Sequence, residues 1–453
     1  MLPLSVGQET LWTLYRLAPD SPAYNDVTAV AFSPAPDVAG LRGALHDLLV
    51  RHDLLRSRFS DGSWGAGRQI ADAGLAELEV RDIPSDGTGD VRTALWSDVR
   101  SIGVQPLDLG CGPLRAVLLR RPADAVLVLV CHHIAGDATS QRIIWRDLLE
   151  YYQCRTSGGS PGLVPLRGTY ADFVDRERDL LRSAQGAKLA GYWRGQCAGA
   201  EPAQLPASAV RPRIPNSGGD TVRRRLDDQL TAGVLQAARA RGVTPFSLMI
   251  GAFGGLLRRY TAEGDLLIGC PMTLRQTLAT RDLVGFLVNT VPLRFASDPG
   301  SALGDLALEA AARLSAAMRH VRYPFALMDA GQRRPPALRV YITMVGSRSD
   351  PFFALTDSGD WMDYAGHRTA VLDLPRLEGQ ADLTVEIRQS SAGFTVSFRY
   401  DAELFAATLI GQLADNYLTF LHRSVTAPGA AAGRIPLTGG IREEAQLLAF
   451  GNG

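Results

Sequence analysis

The sequence predicts an α/β protein, an α+β sandwich built as two lobes, and three observations carry that expectation. The run from Ala125 to Cys131 is apolar and valine-rich, the pattern of a strand buried on both faces. Strand-like runs and helical stripes follow one another in both halves of the chain. With 453 residues, 46% hydrophobic and 21% charged, the chain is long enough to build two large cores.

Charge and cysteine usage narrow the function classes. Lys+Arg and Asp+Glu both number 47, so no net basic field points to nucleic acid or an anionic membrane. The five cysteines (Cys111, Cys131, Cys154, Cys197, Cys270) are scattered and never form a Cys-x-x-Cys pair, which suits reduced thiols in a cytoplasm. Neither a signal peptide nor a membrane-length apolar run is present. Lys188 is the single lysine, and with abundant Ala, Gly and Pro this suggests a GC-rich bacterial genome.

In chain order, Ser5 followed by Gln8, Leu11 and Trp12 reads as a capped amphipathic helix. Leucines at 41, 45, 48 and 49 stripe a second helix. In the stretch 51–59 that follows it, His52 and Arg56 are read as structural, with pairing to carboxylates the alternative. Residues 82–90 are a polar turn region, 91–104 are helix-like, and 106–120 lead through Pro, Asp and Gly into a strand. The 125–131 strand comes next, then a helix over 139–152 with Ile143, Ile144, Leu148 and Leu149 on one face. A Gly/Ser/Pro linker at 157–162 precedes a long helix from Tyr170 to Trp193, and a second Pro/Gly-rich connection, 200–219, separates the halves. The predicted lobes are 1–175 and 176–453. The second opens with a strand at 221–226, a helix at 227–241 and a buried helix whose Pro245 suits its first turn. Pro292 makes the 286–295 strand an edge or bulged strand. Strands at 340–345, 382–385 and 394–400 and a final helix running to His422 complete the pattern.

Chemistry is expected where the 125–131 strand surfaces, at His132 and His133. Successive strand side chains point to opposite faces, so one histidine faces inward and the other a cleft. An imidazole that accepts a proton from an amine, hydroxyl or thiol contributes roughly 10²- to 10⁴-fold in rate when well placed. Asp137 follows four residues later, set in a tight turn by Gly136, and suits a buried ion pair. A metal site competes poorly, because adjacent strand residues diverge and no Cys/His partner recurs at ligand spacing. Two core histidines without function are the plainer alternative. Cys131, inside an apolar run, reads as an inert small hydrophobe rather than a nucleophile.

The run His132-His133-Ile134-Ala135-Gly136-Asp137-Ala138 resembles the His-His-x-x-x-Asp-Gly signature of nonribosomal peptide synthetase condensation domains and their chloramphenicol acetyltransferase-like relatives. Ala138 stands where that signature has glycine. Leu4-Ser5, Gln8 and Leu11-Trp12 resemble the family's first motif, 51–59 the second, and 170–178 the fourth. The stretches 266–275 and 283–294 resemble the fifth, above all at Gly285-Phe286 and Val288-Asn289-Thr290. Residues 321–325 resemble the sixth, with Ala326 in place of the usual acid, and 434–450 resemble a connector to an adenylation domain.

The resemblance implies two chloramphenicol acetyltransferase-like lobes meeting as a V-shaped pseudo-dimer with a tunnel, and a latch near 361–368. It implies a condensation enzyme, either free-standing or excised, in nonribosomal peptide or hybrid natural-product biosynthesis. Such an enzyme transfers an acyl or aminoacyl group from a peptidyl or acyl carrier protein to a small-molecule or carrier-bound amine or hydroxyl. The phosphopantetheine arm comes with the carrier, and no resident cofactor or metal is implied. By position, His133 is catalytic, His132, Gly136 and Ala138 support it, and backbone N–H groups over 136–138 are candidates to steady the thioester oxygen. Asp137 pairs with Arg275 of the second lobe as a structural staple, and Gly285, Phe286 and Asn289 line the tunnel or its floor loop. Ala138 raises a question of strain if its glycine counterpart needs a positive φ. A CoA-dependent acyltransferase, a non-catalytic recruitment domain and an epimerisation domain are the rival functions.

Overall fold

The structure is a computed structural model that describes residues 1–63, 65–72, 77–84, 89–207, 219–261, 264–296, 298–328, 337–346, 361–364, 366–372, 374, 381–390 and 393–438. Most of the 434–450 stretch read as a connector lies outside the described residues. The chain forms two compact units. The first holds Met1–Leu180 together with Thr273–Val288 and Ser347–Glu378, and the second holds the rest. This differs from a single cut at 175/176, because two segments late in the sequence group with the first unit.

In the first unit, Ala125–His132 is a central strand of a six-stranded sheet. Asn25–Ser33 and Leu114–Arg120 pair with it antiparallel, with Asn25 opposite His132. Leu78–Asp82 extends the sheet parallel to Leu114–Arg120. The strand's period-two alternation divides two cores. Leu127, Leu129 and Cys131 join Leu45, Leu48, Trp145 and Leu148 on one face. Val126, Val128 and Val130 join Val91, Val99 and Ile102 on the other. Each fully buried Leu or Val stabilises the fold by about 1.5–3 kcal/mol, so a double-faced apolar strand is held firmly and its end is a rigid platform. The stretch read as a latch contributes Met362–Tyr364 at the sheet's edge and, next to it, His367–Val371, which pairs antiparallel with Asn25–Ser33. Leu283, Val284 and Leu287 sit in the first core, which is why Thr273–Val288 belongs to this unit.

The second unit is organised on a seven-stranded sheet. Leu266–Thr273, Val340–Val345 and Leu383–Ser390 run parallel, and Gly393–Asp401 and Gly219–Arg225 follow antiparallel. Val288–Phe295, which carries Pro292, is the strand at the sheet's other edge, where a missing N–H costs least. Helix Pro245–Leu257 starts with Thr244 as N-cap and Pro245 in its first turn, and from Ser247 onward every residue is buried. A Cβ at Gly251 would meet the Leu306 carbonyl oxygen at 2.6 Å, so glycine sets how closely this helix approaches Leu303–His320. The helix expected over 170–193 is two helices, Tyr170–Arg182 and Ala184–Cys197, because Ser183 caps the second through the Gly186 N–H. No single helix among the described residues is long and apolar enough to cross a membrane.

Candidate active site

The buried strand ends in a short 3₁₀ turn, His133–Ala135, and Asp137 then caps the helix Ala138–Ser157. His132 is 3% exposed and packs against the rings of Tyr15 and Tyr24. Its Nδ1 accepts the Ile134 N–H at 3.1 Å, which leaves the proton of the neutral ring on Nε2. Burial, reinforced by neighbouring His133, pushes its pKa down to about 3, so His132 is neutral at any working pH. It braces the turn as a neutral ring and does not take up a second proton.

His133 is half-buried. Its backbone N–H donates to the Tyr24 carbonyl at 2.8 Å, and its Nδ1 lies 3.3 Å from the Gly136 carbonyl oxygen. A carbonyl oxygen only accepts, so Nδ1 carries the proton in that bond and Nε2 of the neutral ring holds the lone pair. The adjacent histidines therefore differ in tautomer as well as in exposure.

Asp137 is 5% exposed, and both carboxylate oxygens are saturated. Oδ1 accepts from the Ser140 N–H at 2.8 Å and lies 3.0 Å from Ser140 Oγ. Oδ2 accepts from Arg275 Nη1 at 2.7 Å and from the Leu287 N–H at 2.9 Å. Burial alone would raise its pKa, but the Arg275 guanidinium and these hydrogen bonds outweigh that and hold it below the ordinary carboxylate range. Arg275 lies in the Thr273–Val288 segment, so the pair closes within the first unit. The reading of it as a staple between lobes is corrected accordingly.

Sequence reasoning missed several members of this cluster. Ser140 Oγ accepts from Arg275 Nη2 at 2.9 Å and from the Gly285 N–H at 3.0 Å, joining the helix start to the 273–288 segment. Its only local signal is its place three residues after a capping aspartate. Gln8, fully buried, donates from Nε2 to the Ile134 carbonyl at 2.7 Å. Tyr170 Oη lies 3.1 Å from Ser5 Oγ and donates to the Phe286 carbonyl at 3.1 Å. These residues stand in stretches that the motifs had flagged, but their partners lie more than a hundred positions away.

The remaining expected residues fall into different roles. Gly285 is closely packed, since a Cβ there would meet the Tyr170 ring at 2.4 Å. Phe286 is half-buried, with its ring against Gly7. Asn289 belongs to the second unit and is buried. Its Nδ2 donates to the Val321 and Tyr323 carbonyls, both at 2.7 Å, and its Oδ1 accepts the Phe325 N–H at 2.9 Å. With its amide engaged by backbone at both ends, Asn289 holds the 321–325 turn. His52 Nε2 lies 2.8 Å from Asp147 Oδ2 and Arg56 Nε donates to the Leu49 carbonyl at 2.9 Å, well inside the fold or at its backbone.

A family model described as Condensation domain matches residues 1–448. The chain belongs to that family. Phosphinothricin tripeptide synthetase PhsC of Streptomyces viridochromogenes is 31% identical over 449 residues, which are 96% of this chain and 40% of that protein. Chondramide synthase cmdD of Chondromyces crocatus is 27% identical over 445 residues, which are 96% of this chain and 11% of that protein. This condensation domain thus spans less than half the length of those relatives. The X-domain from teicoplanin biosynthesis superposes with a TM-score of 0.83 at 24% identity, over 96% of this chain and 97% of that one. The starter condensation domain of rhizomide synthetase RzmA superposes with a TM-score of 0.78 at 23% identity, over 97% and 99%. Both share the fold.

Within this condensation domain the departure at Ala138 is conformationally free. Ala138 is the first residue of a helix, where an L-residue is at ease, so no strain follows from the missing glycine. Gly136 is extended, with φ −162° and ψ 170°, so the chain turns through His133–Ala135 and not at the glycine. The Gly136 N–H bonds to the His133 carbonyl at 3.3 Å, which removes it from the candidate thioester-oxygen donors.

Proposed function

We propose that this condensation domain transfers an acyl or aminoacyl group from a carrier protein's phosphopantetheine thioester to an acceptor amine or hydroxyl. The acceptor attacks the thioester carbon and its proton passes to His133 Nε2. The new C–N or C–O bond forms as the C–S bond breaks, and the departing sulfur takes the proton back from the imidazolium. The observation that carries this reading is the half-buried His133, with Nδ1 tied to the Gly136 carbonyl and the lone pair on Nε2. Two further features support it. His132 is too acidic as an imidazolium to share the role, and Asp137 has both oxygens committed to Arg275, Ser140 and Leu287. The five thiols, none in a disulfide, suit work in a reducing cytoplasm.

A CoA thioester donor is the second reading, favoured by the RzmA starter domain having been solved in complex with C8-CoA. The two are separated by measuring kcat/KM for one acyl group presented on a holo-carrier protein and on CoA, with a soluble amine as acceptor. A carrier adds a docking surface whose binding energy lowers the barrier, so the carrier donor is expected to win by at least about tenfold, roughly 1.4 kcal/mol. Equal efficiency from CoA would move the assignment to a CoA-dependent acyltransferase. No product from either donor, with the fold intact, would favour recruitment.

A further inference from the structure

Gln8 has no part in the proton transfer just described, yet it reaches the histidine turn from 126 residues away. It sits in the first turn of the helix Val6–Leu17 as the third helical residue, where it completes a capping box with Ser5. In that role its Oε1 accepts the Ser5 N–H at 3.2 Å. Either Glu or Gln serves a capping box, because only an acceptor oxygen is needed. The other half of the amide is what distinguishes glutamine here, since Nε2 donates to the Ile134 carbonyl at 2.7 Å.

Ile134 is the central residue of the 3₁₀ turn and follows His133 directly. Its N–H is held by His132 Nδ1 and its carbonyl by Gln8, so one neutral histidine and one buried amide grip the residue from both sides. One contact of the His133 ring, Nδ1 to the Gly136 carbonyl, is 3.3 Å and therefore long for a hydrogen bond. A long bond of this kind persists only if the backbone that presents the carbonyl does not move.

We infer that Gln8 is a positioning residue for His133. By fixing the Ile134 carbonyl it holds the turn so that the Gly136 carbonyl faces Nδ1, and the imidazole rests as the Nδ1–H tautomer with Nε2 basic. The inference rests on the reading of His133 as the proton acceptor, but its test needs no substrate.

Imidazole ¹⁵N shifts of the intact chain, with His133 assigned by comparison with His133→Gln, report the tautomer directly. Gln8→Met keeps the volume and removes both polar atoms. Gln8→Glu, read at about pH 9 where the new carboxyl is ionised, keeps the capping acceptor and removes the donor. Leu256→Ala, at a buried position of the second unit, supplies a general loss of stability in the unit that does not hold the turn. In wild type and in Leu256→Ala the Nδ1–H form should dominate, and in both Gln8 variants its share should fall from roughly nine-tenths to about half. A folded Gln8→Met or Gln8→Glu protein with the wild-type tautomer ratio would overturn the inference, as would an equal change in Leu256→Ala. If Gln8→Met does not fold, Gln8→Glu decides alone. Failure of the catalytic reading would show separately, as full activity in His133→Ala.

Discussion

Two neighbouring histidines acquire opposite properties from the groups within a few ångströms of each. His132 is walled in by Tyr15 and Tyr24 and accepts a backbone N–H, while His133 is half-exposed and donates from Nδ1. Asp137 and Arg275 are the residues whose loss should be felt in stability. Their side chains are 7% and 5% exposed, and removing one partner leaves the other charge buried. Asp137→Ala or Arg275→Ala is therefore expected to cost about 3–5 kcal/mol, visible as a lowered Tm. Loss of turnover with unchanged Tm in both variants would instead put Asp137 in the chemistry. This pair was legible because motif positions pointed to each residue. Ser140 was not, because its partners Arg275 and Gly285 lie 135 and 145 residues away and a serine near a helix start already has a local explanation.

At the scale of elements, the helix Val6–Leu17 links its own cap to the histidine turn, and its N-terminus rests on Glu177. The Glu177 carboxylate accepts the Val6 N–H at 2.8 Å. Burial pushes its pKa from 4.5 up to about 7, with Glu9 adding to the rise, while the Val6 N–H and Arg178 oppose it. A carboxyl whose folded pKa is raised binds its proton more tightly when folded. The stability it contributes is thus present in acid and lost progressively as pH rises from 4.5 through about 7. Glu177→Gln removes this titration and keeps an acceptor for Val6. It should be more stable than wild type at about pH 8, by up to about 3 kcal/mol, and no more stable at about pH 4. Urea denaturation at the two pH values checks this, and an equal difference at both would contradict it. The strand Ala125–His132, the capping box at Ser5 and the Pro245 helix were readable because each rests on local periodicity or a local cap. The break at Ser183 was not, since the apolar residues continue across it and only the cap geometry ends one helix and starts the next.

At the scale of the whole molecule, the α/β class and the presence of two units followed from length and alternation, whereas the membership of each unit did not. Thr273–Val288 and the strands Met362–Tyr364 and His367–Val371 join the first unit through Leu283, Val284 and Leu287 in its core and through pairing of His367–Val371 with Asn25–Ser33. No periodicity within those segments names a partner so far along the chain. Motif order along the chain signalled the family, and the same long-range contacts explain that order, since the stretches resembling the first, fourth and fifth motifs converge on the 132–138 turn.

The central claim is that His133 moves the acceptor's proton from a turn whose other histidine is inert. Its most direct test is single-turnover acyl transfer from a loaded holo-carrier by wild type and His133→Ala, with Tm measured on the same samples. The account predicts an unchanged Tm and a rate lowered by roughly 10² or more, about 3 kcal/mol of barrier. A folded His133→Ala protein that turns over within a few-fold of wild type would contradict it.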